Sequence, residues 1–304
     1  MRDLIIIGSG PAGLTAAIYG KRAGFDTLVI DETGIGGGQI TTTYEVDNYP
    51  GLPGIGGFEL GEKFKEHAIS AGADFLDASV ENVRKEGDVF NVNTSSGVEQ
   101  ARAIIIATGA THNHLGVNGE EELLGMGVSY CATCDGAFFK NKTVAVVGGG
   151  DVALEDAIFL SRGCEKVYLI HRRDKFRGAQ KLVDVVKATP NIEIIYNSRV
   201  LEIQGESMVD NIVIEEVNTK ESMELAVNGV FIAVGTHPLT ECFSGLVDMN
   251  EQGYIIANED GITSTQGVFA AGDSRTKRLR QVITAAADGA NAVTSADEYL
   301  RKFV

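Results

Sequence analysis

Two cysteines three positions apart, Cys131 and Cys134, followed at once by Asp135, are the side chains best suited to chemistry in this 304-residue chain. Such a spacing suits a reversible disulfide, in which a thiol of depressed pKa supplies the attacking thiolate. The next carboxyl is placed in sequence to move a proton to or from a departing thiolate. Asp135-Gly136 is also a good turn dipeptide. Spacing alone leaves the pair open as a redox site, half a zinc site or two bystanders. A structural zinc site would want a second Cys or His pair at ligand spacing. The sequence shows none, and no metal is expected. Four cysteines are too few for a secreted disulfide framework. Cys164 and Cys242 read as small buried apolar residues.

The position of the pair favours redox work. It lies between two glycine-rich loops, Gly8-Ser9-Gly10-Pro11-Ala12-Gly13 and Gly148-Gly149-Gly150-Asp151-Val152-Ala153. A lone loop of this type is a weak signal, but each of these follows an apolar strand and opens a helix. Glycines let the backbone approach a pyrophosphate, and the helix N-terminus offers unpaired N–H groups. Asp31 follows Gly13 by 18 residues, near the place where an acid meets a ribose hydroxyl. The second unit has His171-Arg172-Arg173 and then Arg177 instead. Arginines there suit a 2′-phosphate, and two of them could favour NADPH over NADH by on the order of a hundredfold. The bland alternative is a solvated basic patch. A paired thiol in a chain with two dinucleotide loops points to a flavoprotein that passes electrons from a nicotinamide to a disulfide.

The elements that must hold these residues repeat. Leu4–Ile7 reads as a buried parallel strand, Pro11–Arg22 as a helix ended near Gly24, and Thr27–Ile30 as the next strand. Thr143–Val147, Asp151–Arg162 with Gly163, and Val167–Ile170 repeat the pattern, so two nucleotide-binding domains are expected. Phe58–Ala71 reads as a helix and Ala103–Ala107 as a buried strand. Ile192–Ile195, Ile212–Glu216, Val230–Val234 and Gly267–Ala271 read as short strands. Gln281–Lys302 reads as a closing helix. Crossings between domains are expected near 112–117 and 235–240. The net charge of −16 argues against a nucleic-acid or anionic-membrane partner. The apolar runs are too short to span a bilayer. With no signal peptide before the first strand, the cytoplasm is the expected compartment.

End to end, the chain resembles the bacterial-type, low-molecular-weight thioredoxin reductases. The resemblance is carried by the first glycine loop, Gly37-Gly38-Gln39, Asn48-Tyr49-Pro50-Gly51, Ala107-Thr108-Gly109 and Cys-Ala-Thr-Cys-Asp-Gly at 131–136. It continues in Gly-Gly-Gly-Asp at 148–151, His-Arg-Arg-Asp at 171–174, Gly-Val-Phe-Ala-Ala-Gly-Asp at 267–273 and Arg280-Gln281. It implies an α/β fold of two Rossmann-like, three-layer flavoprotein domains. The NADPH domain, residues 114–240, is inserted into an FAD domain made of residues 1–113 and 241–304. It implies FAD held by residues 8–13, Asp31 with Glu32, Gly37, Gly38 and Gln39, Asn48, Thr108-Gly109, Gly272-Asp273, and Arg280, Gln281 and Val282. It implies NADPH held by Gly148, Gly149, Gly150, Asp151, Ala153, Glu155, His171, Arg172, Arg173 and Arg177. Cys134 would face the flavin, Cys131 would attack the disulfide of thioredoxin, and Asp135 would donate the proton. A homodimer is implied as well. Both the thiol pair and the nicotinamide must reach one flavin, so the inserted domain is expected to rotate between two working poses.

Two positions depart from the family's common pattern: Val152, where a small hydroxyl residue is frequent, and Leu239, where Asn is frequent. Three rivals remain. A reductase serving a peroxiredoxin-type partner often carries an extra N-terminal region. A ferredoxin-fed enzyme should lack the arginine cluster. A non-catalytic flavin and thiol sensor would consume at most one equivalent of NADPH per flavin.

Overall fold

A computed structural model describes residues 1–43 and 45–303; Tyr44 and Val304 lie outside the described residues. In chain order the first unit opens with β1 (Arg2–Ile7), α1 (Pro11–Arg22), β2 (Thr27–Asp31), α2 (Gly57–Ser70) and β3 (Asp74–Asp77). It continues with β4 (Val80–Glu86), β5 (Val89–Thr94) and β6 (Gly97–Ile106), and β7 (Ala110–His112) leads out of it. The second unit holds β8 (Val128–Ser129), α3 (Ala132–Asp135), β9 (Thr143–Gly148), α4 (Asp151–Ser161), β10 (Lys166–Ile170), α5 (Gln180–Ala188) and β11 (Ile192–Ile195). After β12 (Ser198–Gln204), β13 (Asn211–Glu216), β14 (Ser222–Ala226) and β15 (Gly229–Ala233), β16 (Thr236–Pro238) leads back. The first unit then closes with β17 (Val268–Ala270) and α6 (Val282–Leu300).

Met1–Thr111 with His237–Val304 make one unit, and His112–Thr236 the other. The compact units thus divide after 111 and 236, two and four residues before the domain breaks expected after 113 and 240. At the second division, local bonding accounts for the side on which 237–240 fall. Thr108 Oγ1 donates to the Leu239 carbonyl at 2.6 Å, and Leu239 N–H donates to the Gly109 carbonyl at 3.1 Å. Thr240 Oγ1 donates to the Gly253 carbonyl at 2.7 Å. Residues 237–240 are thereby tied to the first unit. The strands at the two crossings, β7 and β16, pair with each other.

In the first unit the sheet runs β3-β2-β1-β6-β5-β4, with β17 also on β6. β1, β2, β3, β6 and β17 are parallel, and β4 and β5 turn back antiparallel. β6 serves both patterns: residues 97–101 pair with β5 and residues 104–106 with β17. Leu4, Ile5, Ile6, Ile104, Ile105 and Ile106 are wholly buried, as central parallel strands covered on both faces must be. One face packs on α1 and α6 through Leu14, Ala16, Ala17, Ala292, Val293 and Ala296. The other packs on the segment carrying Phe243, Val247 and Ile255. A Cβ at Gly289 would sit 2.1 Å from the Ala12 carbonyl oxygen, so α6 lies directly on the backbone of α1.

The second unit repeats the plan with the parallel sheet β11-β10-β9-β15-β8 and an antiparallel sheet β12-β13-β14. Val144, Ala145, Val146, Val167, Leu169 and Val230 are wholly buried between α4 and α5 on one side and the antiparallel sheet on the other. Cys164 is buried in this core. Cys242, expected to be buried, is only partly so, because the single helical turn at Glu241–Phe243 buries Phe243 instead. No helix among the described residues is long and apolar enough to cross a membrane.

Candidate active site and cofactor loops

Cys131 and Cys134 are joined as a disulfide, with Cα atoms 5.3 Å apart. Cys131 is the extended residue before α3, and the N–H groups of Cys134 and Asp135 close onto its carbonyl at 3.2 and 3.1 Å. The four-residue α3 thus brings both sulfurs and the Asp135 carboxyl onto one turn. Its base is fixed by β8, whose Ser129 is paired in register with Phe231 of β15. Tyr130 is held by its hydroxyl, which donates to Glu120 Oε1 at 2.7 Å, and by stacking on the His112 ring at 4.8 Å. Glu120 also accepts the N–H groups of Leu115 and Gly116 at 2.9 and 2.7 Å.

Asp135 is not a turn residue with its side chain in water. Burial pushes its carboxyl above the usual range, and a hydrogen bond from Ser129 pulls part of the way back. A carboxyl that holds its proton closer to neutral pH suits a proton donor. Ser129, which no spacing rule singled out, donates to Asp135 Oδ2 at 2.5 Å and accepts the Cys131 N–H at 3.0 Å.

In the first unit several of the candidate residues pack around the loop that opens α1. Gly8 takes φ +107, and a Cβ there would lie 2.4 Å from the Ala107 carbonyl oxygen. The Gly37 N–H donates to the Ser9 carbonyl at 2.8 Å, and a Cβ on Gly38 would come 3.2 Å from Gly10 Cα. Asp31, at the end of β2, accepts the Ser9 N–H at 2.9 Å and the Thr33 hydroxyl at 2.7 Å. Burial works to raise its carboxyl, but these bonds outweigh burial and hold it below the usual range. Glu32 is exposed. Gln39 bonds the Ala110 carbonyl, and Asn48 Nδ2 donates to Gln281 Oε1 at 2.9 Å. Gly272 faces Ala12, where a Cβ would come 2.9 Å from the alanine methyl. Val282 opens α6 and packs with Ile40, Val46 and Leu60.

Three features suit this cradle to a bound dinucleotide. No side chain caps the N-terminus of α1, which leaves its first N–H groups open. A Cβ at Gly10 would meet nothing within 4 Å. Asp273 Oδ1 and Arg280 Nε are buried with no hydrogen-bond partner among the described residues. Unmatched buried polar atoms are costly, and a ligand with hydroxyl and phosphate groups would supply the missing partners.

The second glycine loop is built together with its arginines. Arg177 N–H and Gly178 N–H both donate to the Gly149 carbonyl, at 2.8 and 3.3 Å. Ala179 N–H donates to Asp151 Oδ1 at 2.7 Å. The 171–179 segment is therefore folded onto the start of α4, which also lacks a side-chain cap. Gly150 has open space where a Cβ would be. Arg172, Arg173 and Arg177 are exposed. His171 is not part of their exposed face. It is 6% exposed, and its ring fills the space where a side chain on Gly149 would stand, with Cε1 2.2 Å from an ideal Cβ. Asp151 spends its carboxylate on the loop. Ala153 is buried under Gly148. Val152 is exposed at the first turn of α4, so the remaining donors there are backbone N–H groups.

Glu155 lies on α4 beside Asp156, and both line a cavity of about 340 Å³ with Thr133 of the cysteine loop. Burial first, and the neighbouring Glu155 second, push the Asp156 carboxyl up to about 7. No motif singles out Asp156: Glu155 beside it, the residue the resemblance implies for NADPH, is exposed, and only burial sets Asp156 apart.

The pyridine nucleotide-disulphide oxidoreductase family matches residues 2–289. The thioredoxin reductase of Listeria innocua is 46% identical over 302 residues, covering 99% of this chain and 94% of the relative. That of Bacillus subtilis is 45% identical over 301 residues, covering 99% and 95%. The crystal structure of thioredoxin reductase from Streptococcus pyogenes superposes with a TM-score of 0.95 at 43% identity, covering 100% of this chain and 99% of the other. A redox pair held on one turn, two open dinucleotide cradles and full-length likeness agree, and the chain belongs to the pyridine nucleotide-disulphide oxidoreductases, in their thioredoxin reductase group.

Proposed function

We propose that the chain catalyses NADPH-dependent reduction of the thioredoxin disulfide, with FAD as its resident cofactor. The observation that carries this reading is the Cys131–Cys134 disulfide on one turn with Asp135, whose carboxyl burial raises, in a chain that also has two open dinucleotide cradles. FAD belongs to the cradle with the orphaned Asp273 and Arg280 atoms, and NADPH to the one with the exposed arginines. FAD, when bound, would supply the two-electron chemistry that links a nicotinamide to the sulfur pair. The chain's own part is to grip the pyrophosphates by backbone N–H groups, to select a 2′-phosphate with Arg172, Arg173 and Arg177, and to hold a proton on Asp135. Cys131 attacks the partner disulfide and Cys134 resolves the mixed disulfide by thiol exchange. The inserted unit, residues 112–236, turns about the two crossings so that the sulfurs and the nicotinamide take turns at the flavin. We place the enzyme in the cytoplasm as a homodimer, with thioredoxin as its protein partner and no nucleic-acid or membrane partner.

The test is to purify the protein, record its visible spectrum, and follow NADPH oxidation with oxidised thioredoxin. Yellow protein and sustained turnover, lost in Cys134→Ser, are expected. Consumption that stops at one equivalent per flavin would instead identify a sensor.

A further inference from the structure

We infer that Ser129 is a positioning residue for Asp135, a single hydroxyl that fixes the acid against the Cys131 backbone in both of its protonation states. The inference deepens the reductase reading and rests on Asp135 acting as its acid.

Ser129 is 4% exposed and closes the short strand β8, so its side chain has no room to wander. A hydroxyl has one proton to give and two lone pairs to receive with. With Asp135 ionised, that proton goes to Oδ2 at 2.5 Å, while the oxygen accepts Cys131 N–H at 3.0 Å. With Asp135 protonated on Oδ2, the carboxyl becomes the donor. The serine proton then has a second acceptor within reach, the Cys131 carbonyl at 3.4 Å, shared with the Cys134 and Asp135 N–H groups. Rotation about one bond accommodates the change. Alanine would serve neither state, and would leave Cys131 N–H without its acceptor.

Asp135 has few other influences to answer to. Among the described residues Ser129 is the only side chain hydrogen-bonded to it. From its own turn its N–H closes onto the Cys131 carbonyl, and no charged group of the described residues acts on its carboxyl beside burial and Ser129; the α4 acids Glu155 and Asp156 line a cavity with Thr133. Burial raises the carboxyl and Ser129 lowers it, so removing the hydroxyl lets the carboxyl rise further.

The test reads the thiol pair without NADPH or thioredoxin, so a failure of the reductase reading would not be mistaken for a failure of this one. In a Cys164→Ser, Cys242→Ser background, the dithiothreitol-reduced protein is mixed with an aromatic disulfide, and the rate of thiolate release is recorded from pH 4 to 9. The limb that disappears in Asp135→Asn belongs to the acid. Ser129→Ala should move that limb upward by about one pH unit, and Ser129→Thr should return it to the wild-type position. Ser129→Gly carries the same expectation as alanine if the alanine variant does not fold. A limb that stays put in folded Ser129→Ala or Ser129→Gly would overturn the inference. So would a threonine variant displaced as far as alanine, or a limb that persists in Asp135→Asn.

Discussion

Asp288 takes both arms of Arg275, with Nε 2.9 Å from Oδ2 and Nη2 2.8 Å from Oδ1, where the two residues are 4% and 1% exposed. Oδ2 also accepts Lys277 Nζ at 2.8 Å and the Gly272 N–H at 2.9 Å. Glu259 reaches the outer edge of Arg275 at 3.1 Å. One carboxylate of α6 therefore holds two cations and the glycine turn that presents Asp273. Burial works to raise Asp288, but Arg275 and Lys277 outweigh it and keep its carboxyl below the usual range.

The first prediction follows from that pair. Asp288→Asn takes the carboxylate from buried Lys277 and leaves buried Arg275 only the exposed Glu259, and should cost about 3–5 kcal/mol in urea unfolding. A carboxyl with a depressed folded pKa gives its full stabilisation above its unfolded value, near 3.8, and loses it as pH falls through the folded value. Wild-type melting temperature should therefore fall below pH 4, and Asp288→Asn should show a flatter acid slope. Equal slopes would remove Asp288 from the account.

Asp156 predicts the opposite sign. Its carboxyl is raised to about 7, so ionising it costs stability between pH 4 and 7. Asp156→Asn should stabilise the protein at pH 8 by about 1–3 kcal/mol and do little at pH 4. Thermal melts at the two pH values check this, and an asparagine variant no more stable at pH 8 would refute it.

Replacing Arg173 and Arg177 together by alanine should raise KM for NADPH on the order of a hundredfold and leave KM for NADH nearly as it was. The Arg177 N–H bond to Gly149 is a backbone bond and survives the change. Loss of both activities in parallel would mean that the arginines hold the loop and do not select the phosphate.

Gly289→Ala puts a methyl against the Ala12 carbonyl oxygen, a backbone atom that cannot swing aside. The overpacking should cost at least about 1–3 kcal/mol. Because Ala12 is in the first turn of α1, flavin retention on gel filtration should fall with it. Unchanged stability and flavin content would show that the helices part readily.

The parts of the fold that could be read beforehand are those written in local pattern. Pro11–Arg22 is helical over the residues expected, because proline pre-sets its first turn and Gly24 takes φ +88 just beyond its end. Ile192–Ile195 has its expected bounds for a similar reason, a short β-branched run between turn residues. The helix expected over Gln281–Lys302 begins one residue later, with Gln281 as its capping residue. The antiparallel β4, the early part of β6, β12 and the helix α5 were not foreseen, since half-exposed strands and a short helix carry weaker patterns. At the site, the cysteines, the glycines and the arginines announced themselves by type and spacing. Ser129 and Asp288 did not. One is an ordinary serine six residues before the acid it serves, the other an aspartate inside an alanine-rich helix, and only burial and contact distinguish them. His171 adjoins the arginines in sequence, yet its ring is buried against Gly149 while theirs are exposed, because successive residues at a strand end face opposite ways.

The anchor at Leu239 is made of peptide groups alone: its carbonyl receives Thr108, its N–H reaches Gly109, and its side chain is 45% exposed. Such a fastening is blind to what hangs from the α-carbon. Leucine in place of asparagine leaves it intact, because neither bond uses the side chain. Proline is the one natural replacement that would unfasten it, since a tertiary amide has no hydrogen to give.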